Sequence, residues 1–422
     1  MEKYVIEGNK KLKGNVKISG AKNSALKIMA AAILANSPSI IEDIPRIKDV
    51  EVMMEVLKEL GVKVKFIDKN VIKIDPTAIN NYITPYKLVR RMRASITILG
   101  PLIAKLGKAR VALPGGCNIG SRPIDLNISG LTKLGAKIIQ ESGFIDATAP
   151  DGLKGNYISM DFPSRGATEN ILMASVLAKG RTIIENSARE PELVDLANFL
   201  VTMGADIQGI GTDRLIIEGV EKLNGIKYKI IPDPVEMGTF IVMAAATKGE
   251  IFIERAKPEM IRIAINKFKE CGVNILEEDN GILVSMNQKP KPTDISTLPF
   301  PGFPTDLQPL ATALLTLSSG VSIITENIFE NRFTYISELN RMGADIRTDG
   351  HHAIIRGVDN LMGAPVTAPD LRAGAAIVTA GLAAEGITEI YDIYHIDRGY
   401  ENLENKLTQL GANISRIKIN DS

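Results

Sequence analysis

The sequence is poor in residues that bind metals or form disulfides. Its 422 residues include two cysteines and three histidines, His351, His352 and His395. Two cysteines make no disulfide framework, and the histidines and cysteines lack the clustered spacing of a zinc site. No Gly-x-x-x-x-Gly-Lys-Ser/Thr or Gly-x-Gly-x-x-Gly motif is present, so a P-loop or a dinucleotide site has no support. We expect neither a metal nor a cofactor.

Net charge and long apolar runs are also lacking. Lysine and arginine number 50 against 49 acidic residues, which leaves a formal charge of +1. No global field draws such a chain to nucleic acid or to an acidic membrane, so an anion must be bound by local arginines. No apolar run reaches the roughly 18 residues of a membrane helix, and residues 1–8 lack the apolar core of a signal peptide. We expect a cytoplasmic protein without nucleic acid or membrane partners. The oligomeric state is not indicated.

A short glycine template recurs six times, roughly every 70 residues. It follows an apolar pattern of helical spacing and leads into strand-like residues. The glycine is therefore predicted to end a helix in the left-handed conformation. The six copies are Leu-Gly-Val-Lys-Val (60–64), Leu-Gly-Ala-Lys-Ile (134–138), Met-Gly-Ala-Asp-Ile (203–207), Cys-Gly-Val-Asn-Ile (271–275), Met-Gly-Ala-Asp-Ile (342–346) and Leu-Gly-Ala-Asn-Ile (410–414).

A second series of helices, rich in small residues, runs between these copies. Each repeat is then helix, strand, helix, strand and strand, which predicts an α/β fold. Because the small-residue helices are apolar nearly all round, we expect helices inside and sheets outside. The predicted helices span 21–34, 92–104, 167–178, 238–247, 307–317 and 373–384.

The last repeat lacks its closing hairpin, and the N-terminal residues resemble the missing part. Residues 4–15 are similar to residues 214–225, so the N-terminal strands are expected to complete the sixth repeat. The prediction is two domains of three repeats, 22–230 and 1–21 plus 231–422. Two chain crossings suit a hinge, and a cleft between hinged halves is a usual place for ligands.

The stretch from Leu113 to Asp125 is the strongest candidate for chemistry. Its glycines and prolines favour an ordered loop around Cys117. A nearby cation such as Arg122 lowers the pKa of a thiol, so Cys117 could serve as an acid or a nucleophile; the alternative is a buried small apolar residue. Cys271 occupies a leucine or methionine position of the repeat and is predicted to be a core residue.

Polar and charged residues cluster at the predicted starts of the small-residue helices. Helix N-termini favour phosphate and carboxylate groups, so the cluster predicts an anionic, phosphorylated ligand. Ser164 could instead be an ordinary N-cap, and Asp306 could merely decorate a helix start capped by Thr305. Arg398 is either a second anion clamp or the partner of Asp397 in a surface ion pair. The residues at these helix starts are Lys22, Asn23, Arg91, Arg93, Ser164, Arg165, Thr305, Asp306, Asp370 and Arg372.

Taken together, these motifs resemble the UDP-N-acetylglucosamine 1-carboxyvinyltransferase family of enolpyruvyltransferases. The resemblance runs essentially end to end. Its motifs are Ser19-Gly-Ala-Lys-Asn-Ser, Arg93-Ala-Ser, Pro114-Gly-Gly-Cys-x-Ile-Gly-x-Arg-Pro-Ile-Asp-Leu126, Gly166-Ala-Thr-Glu-Asn170, Pro301-Gly-Phe-Pro-Thr-Asp306, Asp370-Leu-Arg372 and His395-Ile-Asp-Arg-Gly-Tyr400. It implies an inside-out α/β barrel in each of two domains.

The resemblance also implies an activity. It is transfer of the enolpyruvyl group of phosphoenolpyruvate to the 3′-hydroxyl of UDP-N-acetylglucosamine, with release of phosphate, in the first committed step of peptidoglycan synthesis. Cys117, Asp306, Lys22 and Arg398 would be catalytic, with Asp306 taking the hydroxyl proton and Cys117 either protonating the methylene carbon or holding a covalent adduct. The implied substrate-binding residues are Lys22, Asn23, Arg93, Arg122, Pro123, Asp125, Leu126, Ser164, Arg165, Gly166, Thr305, Asp306, Ile328, Arg332, Asp370, Arg372 and Arg398.

Four positions depart from the family pattern. Phe162 stands where many members have a lysine near the diphosphate, and Arg165 stands where valine is usual. Our hypothesis is that Arg165 restores the missing cation. Asn127 replaces a common histidine, and Pro234 replaces a common arginine.

Two other functions fit part of the pattern. The sister reaction on shikimate 3-phosphate uses the same fold, although the Gly-Gly-Cys loop and the Asp-Leu pair fit the nucleotide-sugar enzyme better. A non-catalytic paralogue could bind the nucleotide sugar and regulate a partner. The presence of Lys22, Cys117, Asp306 and Arg398 argues against that reading.

Overall fold

The six repeat glycines all adopt the left-handed backbone conformation. A computed structural model describes residues 2–91, 93–113 and 124–419. In it, the φ angles of Gly61, Gly135, Gly204, Gly272, Gly343 and Gly411 lie between +88° and +113°. Residues with a Cβ rarely enter this region. The prediction that these glycines end helices is confirmed: the Gly61 N–H, for example, donates to the Lys58 carbonyl oxygen where the helix Lys48–Glu59 ends.

The described residues divide into two units, each with its own apolar core. Unit A comprises residues 20–113 and 124–231, and unit B comprises residues 2–19 and 232–419. The chain leaves unit B after Ser19 and returns to it after Ile231.

Strands and helices alternate through both units. The strands are β1 (Glu2–Glu7), β2 (Lys13–Lys17), β3 (Ser39–Glu42), β4 (Lys63–Asp68), β5 (Val71–Asp75), β6 (Lys108–Ala112), β7 (Lys137–Glu141), β8 (Phe144–Thr148), β9 (Tyr157–Ser159), β10 (Arg181–Glu185), β11 (Asp206–Gln208), β12 (Arg214–Glu218), β13 (Lys227–Lys229), β14 (Glu250–Glu254), β15 (Asn274–Glu278), β16 (Gly281–Ser285), β17 (Ile295–Ser296), β18 (Val321–Thr325), β19 (Asp345–Asp349), β20 (His352–Arg356), β21 (Pro365–Thr367), β22 (Ile387–Tyr391) and β23 (Asn413–Lys418). The α-helices are α1 (Lys22–Ala31), α2 (Lys48–Glu59), α3 (Tyr86–Arg91), α4 (Leu99–Leu106), α5 (Asp125–Lys133), α6 (Arg165–Ser175), α7 (Pro191–Met203), α8 (Pro234–Ala246), α9 (Arg262–Glu270), α10 (Gln308–Leu315), α11 (Ile336–Arg341), α12 (Leu371–Ala383), α13 (Tyr394–Asp397) and α14 (Leu403–Gln409). Short 3₁₀ helices span Ala32–Leu34, Arg93–Ile98, Pro258–Ile261 and Thr305–Leu307.

The sheets repeat one strand order, with three sheets in each unit. In the sheet β9-β10-β12-β11, β9 is parallel to β10, and β12 is antiparallel to both β10 and β11. In β10, Thr182 and Ile184 point inward and alternate with more exposed residues, as the two-residue period of a strand requires. The other sheets are β13-β3-β5-β4, β6-β8-β7, β2-β14-β16-β15, β17-β18-β20-β19 and β21-β22-β1-β23.

The first N-terminal strand completes the last sheet of unit B, as predicted, whereas the second strand joins a different sheet of that unit. β1 lies between β22 and β23, where Tyr4 faces Ile390 on one side and Arg416 on the other. β2 pairs in parallel with β14, and β13 at the end of unit A pairs in parallel with β3 at its start. The last sheet is therefore assembled from strands at opposite ends of the chain.

The small-residue helices are buried, as predicted. In unit B, α8, α10 and α12 pack against one another, and all 13 residues of α8 are buried. Gly238 of α8 lies against Leu307, where an added Cβ would come within 2.6 Å of the leucine side chain. Through this contact, the 3₁₀ helix that carries Asp306 packs against α8. Gly238→Ala would disturb that helix, because packed cores do not accommodate such an overlap without shifting.

Two predicted helices begin as 3₁₀ rather than α-helix. The predicted helix 92–104 is a 3₁₀ helix over Arg93–Ile98 followed by α4, and the helix predicted over 307–317 begins as the 3₁₀ helix Thr305–Leu307. Pro101 and Pro309 each lie four residues beyond a residue of the 3₁₀ segment. Because proline cannot donate the i→i−4 hydrogen bond and its ring clashes with that carbonyl, the α-helix starts late in both places. Among the described residues, no helix is long and apolar enough to cross a membrane.

Candidate functional site

Asp306 of unit B lies between two buried arginines. Its Oδ1 accepts a hydrogen bond from Arg332 Nη2 at 3.3 Å, and its Oδ2 accepts one from Arg372 Nε at 3.2 Å. The arginine side chains are 2% and 4% exposed, whereas the aspartate side chain is 33% exposed. The carboxylate is therefore held by two fixed cations and still faces solvent, as a group that meets a ligand must.

The fold holds both guanidinium groups in place. Arg332 Nη2 also donates to the Thr305 carbonyl oxygen at 3.3 Å. Arg372 lies in the first turn of α12, with its guanidinium carbon 5.4 Å from the centre of the Tyr400 ring. Burial lowers the pKa of Arg372, but Tyr400 and Asp306 outweigh it and the net shift is upward. Arg372 therefore remains charged beside Asp306.

Asp370 caps α12 with one oxygen and leaves the other available. Its Oδ1 accepts hydrogen bonds from the backbone N–H groups of Arg372 and Ala373, at 2.8 and 3.1 Å. Its Oδ2 is buried and has no hydrogen-bond partner among the described residues. Since an unpaired buried carboxylate oxygen is costly, this oxygen indicates that a donor is still to be supplied.

Glu326 is a buried acid that the sequence analysis did not single out. It is 1% exposed, and its carboxylate accepts hydrogen bonds from Thr297, Thr305, Ile328 and Phe329. Ile328, implied as a substrate contact, is thereby held in the turn that leads to Arg332. The available signal was weak: an acidic residue directly after an apolar strand.

The segment around Arg398 is fixed through its neighbour. Both oxygens of Asp397 accept hydrogen bonds from Arg416, at 2.6 and 3.0 Å. The Asp397 carboxylate thus forms a bidentate pair with β23. This pairing weakens the alternative in which Arg398 serves mainly as the surface partner of Asp397.

In unit A, Lys22 and Asn23 begin α1 and contact acidic groups. Lys22 Nζ lies 2.8 Å from Asp49 Oδ2, and both side chains are buried. Asn23 Nδ2 donates to Glu192 Oε1 at 3.4 Å. Lys22 therefore carries a bound counter-ion before any ligand arrives.

Arg165 belongs to a buried cluster of charges. Its Nε donates to Glu169 Oε1 at 3.0 Å, and its Nη2 lies 3.5 Å from Glu192 Oε1. Lys27 binds the other oxygen of Glu169. Burial lowers the pKa of Arg165, but the charges of Glu192, Glu169 and Glu190 outweigh this effect. The net shift is upward, so the guanidinium stays charged.

The neighbours of Arg165 have ordinary structural roles as well. Ser164 caps α6, since its Oγ accepts a hydrogen bond from the Ala167 N–H at 3.4 Å. Gly166 lies in the first turn, where an added Cβ would meet nothing within 4 Å. The N-cap interpretation of Ser164 is thus confirmed, and it does not exclude contact with a ligand.

The whole chain matches known protein families. A model of the EPSP synthase family (3-phosphoshikimate 1-carboxyvinyltransferase) matches residues 6–407. The chain is 54% identical over 419 residues to UDP-N-acetylglucosamine 1-carboxyvinyltransferase 2 of Carboxydothermus hydrogenoformans, covering 99% of this chain and 100% of the relative. It is 49% identical over 423 residues to UDP-N-acetylglucosamine 1-carboxyvinyltransferase of Finegoldia magna, covering all of both chains. The chain belongs to the UDP-N-acetylglucosamine 1-carboxyvinyltransferase family.

Solved structures agree on the fold. The enolpyruvyl transferase NikO from Streptomyces tendae superposes with a TM-score of 0.88 at 25% identity, over 98% of each chain. An EPSP synthase from Acinetobacter baumannii superposes with a TM-score of 0.77 at 17% identity, over 99% of this chain and 100% of the other, which supports the fold alone.

The other residues implied by the family resemblance lie in several places. Asp125 is exposed at the start of α5, and Leu126 packs against the core of unit A. Arg93 begins the 3₁₀ helix Arg93–Ile98. Cys117, Arg122 and Pro123 lie outside the described residues. Cys271 is buried, and burial raises the pKa of its thiol, which confirms it as a core residue.

The four departures from the family pattern also differ in setting. Phe162 is 46% exposed, whereas Asn127 is buried and accepts a hydrogen bond from Asn170 Nδ2 at 2.8 Å. Pro234 is the first residue of α8, where a proline costs no helical hydrogen bond. Asn127 thus forms a buried hydrogen bond, and Pro234 occupies a helix position that tolerates proline. No group of three or more metal-ligating side chains occurs within the described ranges.

Within unit B the structure brings Thr305, Asp306, Arg332, Asp370 and Arg372 together. Within unit A, Asn23 and Arg165 meet at Glu192, while Lys22 pairs with Asp49. Sequence reasoning found the cations and missed most of their carboxylate partners. Asp49, Glu169 and Glu192 lie in helices whose sequence pattern does not distinguish a buried acid from an exposed one.

Proposed function

We propose that this chain transfers the enolpyruvyl group of phosphoenolpyruvate to the 3′-hydroxyl of UDP-N-acetylglucosamine and releases phosphate. This is the first committed step of peptidoglycan synthesis. Two features support the proposal: the end-to-end match to the family and the placement of Asp306. A one-third-exposed carboxylate beside two buried guanidinium groups suits a reaction between an anionic substrate and an alcohol.

The reaction is an addition followed by an elimination. The 3′-oxygen bonds to C2 of phosphoenolpyruvate, Asp306 takes the hydroxyl proton and Cys117 gives a proton to C3. The carbon–oxygen bond to phosphate then breaks as C3 loses a proton, and an enol ether and inorganic phosphate result. Positioned acids and bases contribute roughly 10²–10⁴-fold each.

The remaining residues bind the two substrates. Lys22, Arg122 and Arg398 hold the phosphate and carboxylate of phosphoenolpyruvate, and Asn23 and Asp306 contact the sugar. The buried free oxygen of Asp370 supports a role for it as an acceptor toward substrate. Residues assigned to the nucleotide sugar and its surroundings are Arg93, Pro123, Asp125, Leu126, Ser164, Arg165, Gly166, Thr305, Ile328, Arg332 and Arg372.

We also propose the finer architecture implied by the family. Each domain, 22–230 and 1–21 plus 231–422, is an inside-out α/β barrel of three repeats, and the protein works in the cytoplasm on small molecules. The mutual packing of α8, α10 and α12 supports this arrangement for unit B.

A two-substrate assay tests the function. Phosphate release from phosphoenolpyruvate is measured with UDP-N-acetylglucosamine and, separately, with shikimate 3-phosphate. We expect turnover with the nucleotide sugar alone. Turnover with shikimate 3-phosphate would favour the sister reaction, and phosphate release with neither would favour a non-catalytic binding protein.

The two cysteines supply a matched pair of variants. Cys117→Ala should lower phosphate release roughly 10²–10⁴-fold, whereas Cys271→Ala should change it less than about twofold. Undiminished release by Cys117→Ala would refute the assignment. Cys117→Asp keeps an acid and removes the alkylation target. Continued turnover with lost sensitivity to the epoxide fosfomycin would therefore favour the acid role.

A further inference from the structure

Glu326 departs from the pattern of four of its five counterparts in the other repeats. The residue after the first strand of a repeat has a positive φ in four cases: 64° at Asp43, 57° at Asn186, 65° at Arg255 and 55° at Asp392. Glu326 holds the same place after β18 but, within the described chain, does not share this conformation. Its side chain turns inward instead and is 1% exposed.

The Glu326 carboxylate accepts four hydrogen bonds from three separate segments. Its Oε1 accepts from Thr297 Oγ1 at 2.9 Å and from the backbone N–H groups of Ile328 and Phe329, at 2.8 and 3.2 Å. Its Oε2 accepts from Thr305 Oγ1 at 3.0 Å. Hydrogen bonds to a charged group are the strong ones, so this buried carboxylate joins the segments firmly.

Two of these segments carry the groups that meet at Asp306. Thr305 immediately precedes Asp306, and the turn at Ile328 and Phe329 leads to Arg332. The Arg332 guanidinium connects the two segments, because it donates hydrogen bonds to the Thr305 carbonyl oxygen and to Asp306. Glu326 therefore sets the distance between the aspartate and one of its two arginines without touching either.

We propose that Glu326 is a positioning residue for the enolpyruvyl transfer, acting through Thr305 and the 328–329 turn. This inference rests on the proposed function. A misplacement of about 1 Å at a reacting group can cost on the order of 10²-fold in rate. Loss of the Glu326 carboxylate should therefore lower kcat, because Asp306 acts in the transition state, and should change the KM for phosphoenolpyruvate little. The KM for UDP-N-acetylglucosamine should rise, because Thr305, Ile328 and Arg332 are assigned to that substrate.

Steady-state kinetics of three variants test the proposal. Glu326→Ala should lower kcat about 10- to 100-fold, with the KM for phosphoenolpyruvate within about threefold of the parent. Glu326→Gln keeps an acceptor for the two backbone N–H groups and can donate to Thr305 Oγ1, so it should recover kcat to within about threefold. Thr305→Val removes one link and should give an intermediate loss. The double variant Glu326→Ala, Thr305→Val should be no slower than Glu326→Ala alone, since the two residues act as one unit.

Glu338→Ala is the matched control. Glu338 is also in unit B, and its Oε2 accepts a backbone N–H from Thr367 at 2.9 Å. Its removal should lower the melting temperature and leave kcat within about twofold. If Glu326→Ala does not fold, Glu326→Gln and Thr305→Val carry the test through their kcat values.

The inference is overturned if Glu326→Ala keeps kcat within about twofold, if its kcat loss matches that of Glu338→Ala, or if the losses from Glu326→Ala and Thr305→Val multiply. A parent protein that releases no phosphate with UDP-N-acetylglucosamine would instead overturn the proposed function. An active parent with an unaffected Glu326→Ala variant removes only the positioning role.

Discussion

The two units treat their cations differently. In unit A, Lys22 is neutralised by Asp49, and Arg165 contacts Glu169 and Glu192. In unit B, two buried arginines converge on Asp306, which is one-third exposed, and the charge of Asp233 also acts on Arg372. Unit A therefore holds these cations against buried carboxylates, while the two arginines of unit B meet a carboxylate that is partly exposed to solvent.

This difference affects how an anion can be bound. An anion at Lys22 or Arg165 competes with a carboxylate that is already in place, so part of the attraction is offset. An anion near Asp306 meets guanidinium groups whose positions are already set. We expect the Asp306 cluster to act directly on the chemical step, and substitutions of Arg165 and its glutamate partners in unit A to act more on stability.

The largest expected effect is that of Asp306→Asn. The amide cannot take a proton, so phosphate release should fall roughly 10²–10⁴-fold. Asp359→Asn is the control, because Asp359 is an exposed aspartate of unit B paired with Lys289. It should leave the rate unchanged. A rate for Asp306→Asn within about tenfold of the parent would remove Asp306 as the base and weaken the contrast between the units.

Intermediate effects are expected for two arginine variants, one in each unit. Arg165→Val should act mainly on stability, and Arg372→Lys mainly on kcat. Loss of Arg165 takes a donor from the buried Glu169 and Glu192 and should lower stability by roughly 1–3 kcal/mol. The KM for UDP-N-acetylglucosamine should rise roughly three- to tenfold, because Arg165 is assigned to the nucleotide sugar but its charge is partly offset by the two glutamates. Arg372→Lys keeps the charge but loses the planar fork and should lower kcat about tenfold or more.

Denaturation curves and initial rates of both variants measure these effects. A KM for Arg165→Val equal to that of the parent would contradict the hypothesis that Arg165 replaces the cation missing at Phe162.

The smallest expected effect is a pH dependence in unit A. Burial raises the pKa of Glu190 above its ordinary value of 4.5, and the charge of Arg165 opposes the shift only in part. The folded state thus binds this proton more tightly than the unfolded state. The stability from this group is present below about pH 4.5 and is lost as pH rises through the folded pKa.

Glu190→Gln removes that loss. Relative to the parent, its melting temperature should therefore improve as pH rises from 4 to 8, by a few degrees at most. Glu221→Gln, at an exposed glutamate of the same unit, should show no such trend. A constant difference between Glu190→Gln and the parent across this range would contradict the shift in pKa.

Much of the fold was predictable because its signals are local or repeated. The glycine template predicts a positive φ, since only glycine enters that conformation without strain, and six copies make the signal unambiguous. The likeness of residues 4–15 to residues 214–225 predicts that β1 completes the sheet of β22 and β23. The 3₁₀ starts were missed because helical periodicity alone did not register the effect of Pro101 and Pro309.

The charged residues of the candidate site were predictable from their types and their places at helix starts. The polar residues that stand out beside the apolar, small-residue helices are Lys22, Arg165, Asp306 and Arg372. Cys117 and Arg122 remain predictions from the sequence. Glu326 was not found, because its importance comes from four hydrogen bonds with donors up to 29 residues away.

By itself, the amino-acid sequence determined the repeat, the ends of its helices, the completion of the last sheet by the first strand and the types of residue at the site. Only the tertiary structure decided the partners: Asp49 for Lys22, Glu169 and Glu192 for Arg165, Arg332 and Arg372 for Asp306. The physical reason is the distance along the chain over which each interaction acts. Backbone conformation and periodicity are set within a few residues, whereas burial and charge pairing depend on side chains that meet only when distant segments pack.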